Sequence, residues 1–122
     1  MDEELGVAFA KALAAKDPDA LRRVLAPTVD FRAMTPSKFW ESNSVDEIVD
    51  DIILGAWFEP SERVDALEAV ETNTVADRCR VGYRFRVTNP DGTYLVDQQA
   101  YFAAEGDRIT WLRVMCAGYR PV

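Results

Sequence analysis

From Arg63 to Gly118 the chain alternates apolar and polar side chains with a period of two, interrupted only at short turns. A half-buried strand repeats every second residue, so this stretch dictates a long antiparallel meander. Asn89-Pro90-Asp91-Gly92 and Glu105-Gly106-Asp107 supply the turn chemistry. The strands they bound read as 64–75, 77–88, 93–104 and 108–118. In the second, Cys79, Val81, Tyr83, Phe85 and Val87 share one face, and Arg78, Arg80, Arg84 and Arg86 lie on the other.

Ahead of the meander the period is helical. Leu5, Ala8, Phe9, Ala12 and Leu13 mark one face of a helix over 3–15. Asp17 caps a second helix, with Pro18 in its first turn and Leu21, Val24 and Leu25 on its buried side. A short strand follows over 29–34. Thr35-Pro36-Ser37 then resembles a helix start leading into Lys38, Phe39, Trp40 and Glu41. Ser44-Val45-Asp46-Glu47 fits a capping box, and the helix after it presents Val45, Ile48, Val49, Ile52 and Ala56 on one side. Helices gathered in front of an antiparallel sheet give the α+β class, and 122 residues suit one domain over 1–122.

This order implies a curved sheet wrapped around helices, a cone with a pocket at its wide end. Three stretches resemble the nuclear transport factor two-like superfamily: Ala14-Ala15-Lys16-Asp17-Pro18-Asp19-Ala20-Leu21, Leu25-Ala26-Pro27-Thr28-Val29-Asp30-Phe31, and Asp107-Arg108-Ile109-Thr110-Trp111-Leu112-Arg113. That group includes ketosteroid isomerase, limonene epoxide hydrolase, scytalone dehydratase and SnoaL-like polyketide cyclases. The resemblance implies a cofactor-independent enzyme of the isomerase, cyclase or dehydratase kind, or a non-catalytic ligand-binding or dimerisation module. The isomerase's tyrosine and acidic pair fall near Phe9, Ala33 and Gln99, where none matches. The histidines of the cyclases and of scytalone dehydratase have no counterpart, because the chain has no histidine.

Alternation leaves two choices for the inward face of residues 94–104. The more apolar is Tyr94, Val96, Gln98, Ala100 and Phe102. Family-like spacing back from Ile109 favours Leu95, Asp97, Gln99, Tyr101 and Ala103, with Leu112, Val114, Cys116 and Gly118 inward on the last strand. On that choice Asp97 is the expected catalytic acid or base, because a carboxylate in an apolar cup loses hydration and its pKa rises. Tyr83, Gln99 and Tyr101 are expected to bind substrate oxygens, and Trp40 to stack on a ring. Phe39, Trp57 and Cys116 complete the expected substrate-binding set. The substrate would be a small apolar molecule. Cys79 and Cys116 lie on strands separated by a third, too far apart for a disulfide.

The net charge of −7 argues against nucleic acid and anionic membranes as partners. No metal or nucleotide cofactor is expected: no loop gathers oxygens for a hard cation, and no glycine-rich phosphate loop is present. The acidic N-terminus lacks a signal-peptide pattern, which points to the cytoplasm. On the outer sheet face Val96, Ala100, Phe102, Trp111 and Met115, rimmed by arginines, are expected to form a homodimer interface. An acidic protein partner docking on the arginines is the weaker alternative.

Overall fold

A computed structural model describes residues 2–122. Helix α1 (Asp2–Ala15) and helix α2 (Pro18–Val24) lead into strands β1 (Leu25–Thr35) and β2 (Lys38–Ser42), helix α3 (Glu47–Trp57), and strands β3 (Arg63–Val75), β4 (Arg78–Asn89), β5 (Gly92–Glu105) and β6 (Arg108–Pro121). The six strands form one open mixed sheet in the order β2-β1-β6-β5-β4-β3, in which only β1 and β6 run parallel. Helix α1 packs on β3 and β4, and α2 packs on α1, β1 and α3. The result is the α+β cone, with the helices on the concave face of the sheet.

The local signals act as their chemistry requires. The Asp17 carboxylate accepts from the amides of Asp19 and Ala20 at 3.0 and 3.2 Å, satisfying donors that the first turn of α2 leaves free. Phe9, Leu13 and Leu21 are fully buried in one core with Val81, Phe85 and Phe102 of the sheet. The period-two reading of β3 to β6 holds to within three residues at every strand end.

Three expectations are corrected. Thr35-Pro36-Ser37 starts no helix. Thr35 pairs with Lys38, so Pro36-Ser37 is a two-residue hairpin turn, with proline setting the first corner and Ser37 at φ 67 the second. Residues 38–42 are therefore strand. The second correction concerns α3. Ala56 is exposed, and the inward side chains are Ile48, Val49, Ile52, Ile53 and Trp57. The helix is π-wound: the Phe58 amide reaches back five residues to the Ile53 carbonyl at 2.7 Å, so inward positions recur every four or five residues.

The third correction is the face of β5. Val96, Gln98, Ala100 and Phe102 are buried under the helices, and Leu95, Asp97, Gln99, Tyr101 and Ala103 face outward. Buried Tyr83 opposes Gln98 and buried Ile109 opposes Ala104, which sets this face, and a bulge on β6 hides it from a count back from Leu112. Glu105 pairs with Arg108 and Ala104 with Ile109, but Ala103 pairs with Trp111, leaving Thr110 as the extra residue. In the register set by the turn, inward Leu112 would face Tyr101. The bulge moves it onto Phe102 and reverses the parity of the strand. The outer face thus loses Val96, Ala100 and Phe102 from the patch expected there and keeps Trp111 and Met115.

Candidate functional site

The correction divides the expected site residues between two faces. Tyr83, Trp57, Cys116 and Trp40 are on the concave side. Asp97, Gln99, Tyr101 and Phe39 are on the outer side.

Inside the cone, the Tyr83 hydroxyl donates to Gln98 Oε1 at 2.7 Å, and both residues are buried. They are neighbours because Tyr83 pairs with Gln98 in register, and Gln98 pairs in turn with Cys116 on β6. Among the described residues, Gln98 is the polar side chain that the core encloses. Aromatic rings surround the pair. Phe9 meets Tyr83 edge-on at 6.3 Å, and Phe85 lies 5.1 Å from it. Burial pushes the Tyr83 phenol pKa well up, with a smaller push from Cys116, so it remains a proton donor.

Toward the wide end, Trp57 packs 5.9 Å from Phe31 and edge-on to Trp40 at 6.3 Å. The Trp40 indole donates to Thr35 Oγ1 at 2.8 Å. The Trp57 indole N–H is buried and has no partner. Such a group costs free energy unless something accepts from it. Tyr119 donates to the Trp57 carbonyl at 2.9 Å, and burial, followed by the nearby Glu62 carboxylate, raises its pKa. Glu62 accepts from Asn89 Nδ2 at 3.3 Å through one oxygen, while the other is buried without a partner. Lys16 closes this end by donating to the Glu59 and Glu62 backbone carbonyls. Desolvation lowers its pKa, against the raising effect of Glu62 and Glu59.

Gln98, Glu62 and Tyr119 were absent from the sequence-based site. Gln98 carried a signal, as the lone amide on the more apolar face of its strand. Tyr119 is turned inward by a second bulge: Gln98 pairs with Cys116 but Val96 with Tyr119. Gly118 supplies this bulge at φ 89, and Pro36 lies so close that a β-carbon there would sit 2.9 Å from its Cγ. Glu62 had no local signal at all.

On the outer face, Asp97 is in no apolar cup. Arg84 Nε donates to it at 2.9 Å and Arg120 grips its other oxygen. The fixed ion pair leaves its proposed acid–base role without a supporting geometry. Gln99 accepts from Arg80, whose remaining donors reach Asn73 at 3.0 Å and Glu71 at 3.0 Å. Asp97 and Gln99 line a polar hollow of about 310 Å³. Tyr101 and Phe39 line a separate apolar groove of about 220 Å³ with Met34 and Met115. Arg86 pairs with Glu68 at 2.7 Å, so the arginine row is largely neutralised by the chain's own carboxylates. Arg32 braces β1 against Glu41 of β2 at 3.4 Å. Both cysteines are free. No helix among the described residues is long and apolar enough to cross a membrane.

No protein-family model matches the chain, and no curated protein matches it in sequence. Solved structures do match. A candidate isomerase from Bacillus subtilis superimposes with a TM-score of 0.73 at 15% identity, covering 93% of this chain and 84% of that one. A candidate polyketide cyclase from Xanthomonas campestris pv. campestris gives 0.70 at 16% identity, with 92% and 87% covered. A Catenulispora acidiphila protein with a ketosteroid isomerase-like fold, solved with trimethylamine, gives 0.66 at 13% identity, with 91% and 83% covered. At these identities the likeness speaks to fold alone.

Proposed function

We propose that this chain, which has the nuclear transport factor two-like fold, binds a small, mostly apolar, ring-bearing molecule on the concave face of its cone. The observation that carries the reading is the Tyr83–Gln98 pair, a hydroxyl and an amide buried together in an apolar cone. A fold needs neither group there, since apolar residues of similar shape would fill the space at no loss. A ligand with one or two oxygens would use both, with the aromatic rings covering the rest of its surface. That the Catenulispora acidiphila neighbour was solved with a small molecule agrees with this use of the fold.

The reading is binding rather than acid–base turnover. Asp97 is committed to Arg84 and Arg120 on the opposite face, and the phenols of Tyr83 and Tyr119 stay protonated. The test is a thermal-shift panel of neutral cyclic ketones and phenols. Hits should raise the melting temperature of the wild type and lose that effect in Gln98→Leu. A panel with no hits, or hits indifferent to Gln98, would sink the reading.

A second, compatible reading is self-association through the outer sheet face. Phe39 is 72% exposed, Met115 51% and Met34 43%, and the three converge on one groove. Arg32 and Arg113 line it, paired with Glu41 and Asp30. A two-fold contact sets each such patch against its own copy, so a face carrying both signs of charge suits itself. Twelve of the 21 acids lie in residues 1–61, which form the helices and the first hairpin, so much of the −7 stays clear of this contact.

A further inference from the structure

We propose that α3 is a gate with two windings, in which Trp57 plugs the cone and Gly55 permits the closed form. The proposal rests on the ligand-binding reading above and concerns how that same site opens. In the closed form seen here the ring of Trp57 packs among Phe31, Trp40 and the core, 8% exposed, with its indole N–H unsatisfied. It reaches this position only because α3 is π-wound. The helix starts with an ordinary bond, from the Ile48 amide to the Ser44 carbonyl at 2.9 Å, and has widened by the bond from the Phe58 amide to the Ile53 carbonyl.

The sequence of this segment fits the other winding. Val45, Ile48, Val49, Ile52 and Ala56 have α-helical spacing. At about 100° per residue, Trp57 in an α-helix would stand about 125° from the centre of that face, outside its apolar stripe. Ala56, now exposed, would turn toward the core in its place. Exchanging a tryptophan for an alanine at the mouth leaves a void in the space the indole now fills against Phe31 and Trp40. The closed form buries more apolar surface, since Ile53 and Trp57 are both inside. The open form regains ordinary helical bonding and relieves the orphaned indole N–H. A ligand that fills the void binds only the open form and shifts the balance toward it.

Gly55 is the structural mark of the closed winding. A β-carbon there would stand 2.7 Å from the Asp50 carbonyl oxygen, five residues back, in backbone that cannot yield. An α-helix makes no such contact, and alanine is favoured over glycine within one. Gly55→Ala therefore biases α3 toward the open form without touching any side chain of the site.

The test compares the parent and Gly55→Ala in two measurements. In a Trp40→Phe/Trp111→Phe background, Trp57 is the sole tryptophan. Its emission should be blue and resistant to acrylamide in the parent, red-shifted and quenched in G55A. By calorimetry on chains that keep all three tryptophans, G55A should bind 1-naphthol roughly tenfold or more tightly, because the open fraction no longer limits affinity. Unchanged emission in G55A, or exposure of Trp57 without tighter binding, overturns the gate. Binding by the parent with unchanged G55A overturns the gate and spares the ligand reading; an exposed Trp57 with no 1-naphthol uptake by either chain defeats both. Hydrogen exchange on the wild type needs no variant to fold. Amides 53–58 should exchange through an opening well short of global unfolding. Exchange of these amides only at the rate of the β4–β5 core would overturn the proposal.

Discussion

The Tyr83–Gln98 pair allows a double-mutant cycle whose outcome follows from burial alone. Tyr83→Phe removes the hydroxyl and leaves Gln98 Oε1, in a residue 2% exposed, without the donor seen at 2.7 Å. Gln98→Leu leaves the hydroxyl of a residue 3% exposed with no acceptor. Each single change strands a buried polar group and should cost about 1–3 kcal/mol. Replacing both leaves nothing stranded, and leucine and phenylalanine conserve the volume closely, so the double variant should lie within about 1 kcal/mol of the wild type. The coupling is then about 2 kcal/mol or more, with the second substitution rescuing the first. Urea denaturation measures it, and thermal unfolding should show single-variant losses of about 3–5 °C per kcal/mol for a chain of this size. Singles that cost nothing, or a double variant as unstable as the two singles summed, would refute the claim that the pair is dispensable for folding.

Other consequences can be checked on the same preparations. Asp97→Asn should cost no more than about 1 kcal/mol, because its arginine pairs are partly exposed, and should leave 1-naphthol affinity unchanged in calorimetry. Gly118→Ala should destabilise by about 2 kcal/mol or more in urea, since it combines φ 89 with a clash against Pro36. Met115→Lys should convert a dimer into a monomer in sedimentation velocity, and an unchanged sedimentation coefficient would remove the sheet-to-sheet reading. In alkali, Tyr83 and Tyr119 keep their protons in the folded chain longer than in the unfolded one, because burial raises both folded values. The unfolded state then releases protons first, so stability should fall as pH rises above about 10, by up to about 2.7 kcal/mol per pH unit for two such groups. Phenolate absorbance should show these two of the four tyrosines ionising only with unfolding.

The parts of the fold that could be read in advance are those where one local rule acts alone. Asp17 caps α2, the Asn89–Gly92 turn joins β4 to β5, and the alternation of Val81, Tyr83, Phe85 and Val87 faces the helices as expected. The site was harder because it depends on parity. One extra residue at Thr110 puts both Ile109 and Leu112 inward on β6, so counting back from Leu112 across the turn points to Asp97 while the Ile109–Ala104 pair points to Gln98, and no residue type marks that bulge. The apolar count over residues 94–104 favoured the correct face, so burial was the better guide than spacing from Ile109. Pro36 misled because proline suits both the first turn of a helix and the first corner of a hairpin. The winding of α3 was hidden because Val45, Ile48, Val49 and Ile52 fit an α-helix, and the departures are the burial of Ile53 and Trp57 and the exposure of Ala56.

The cone interior, floored by Tyr83 and Gln98, is where a small ligand is expected to sit. Chemical-shift mapping with 1-naphthol locates it directly. The Gln98 side-chain amide and the Trp57 indole N–H should move most, with the backbone amides of Tyr83 and Cys116 following. Shifts confined to Met34, Tyr101 and Met115 on the outer groove, with Gln98 and Trp57 unmoved, would contradict the account.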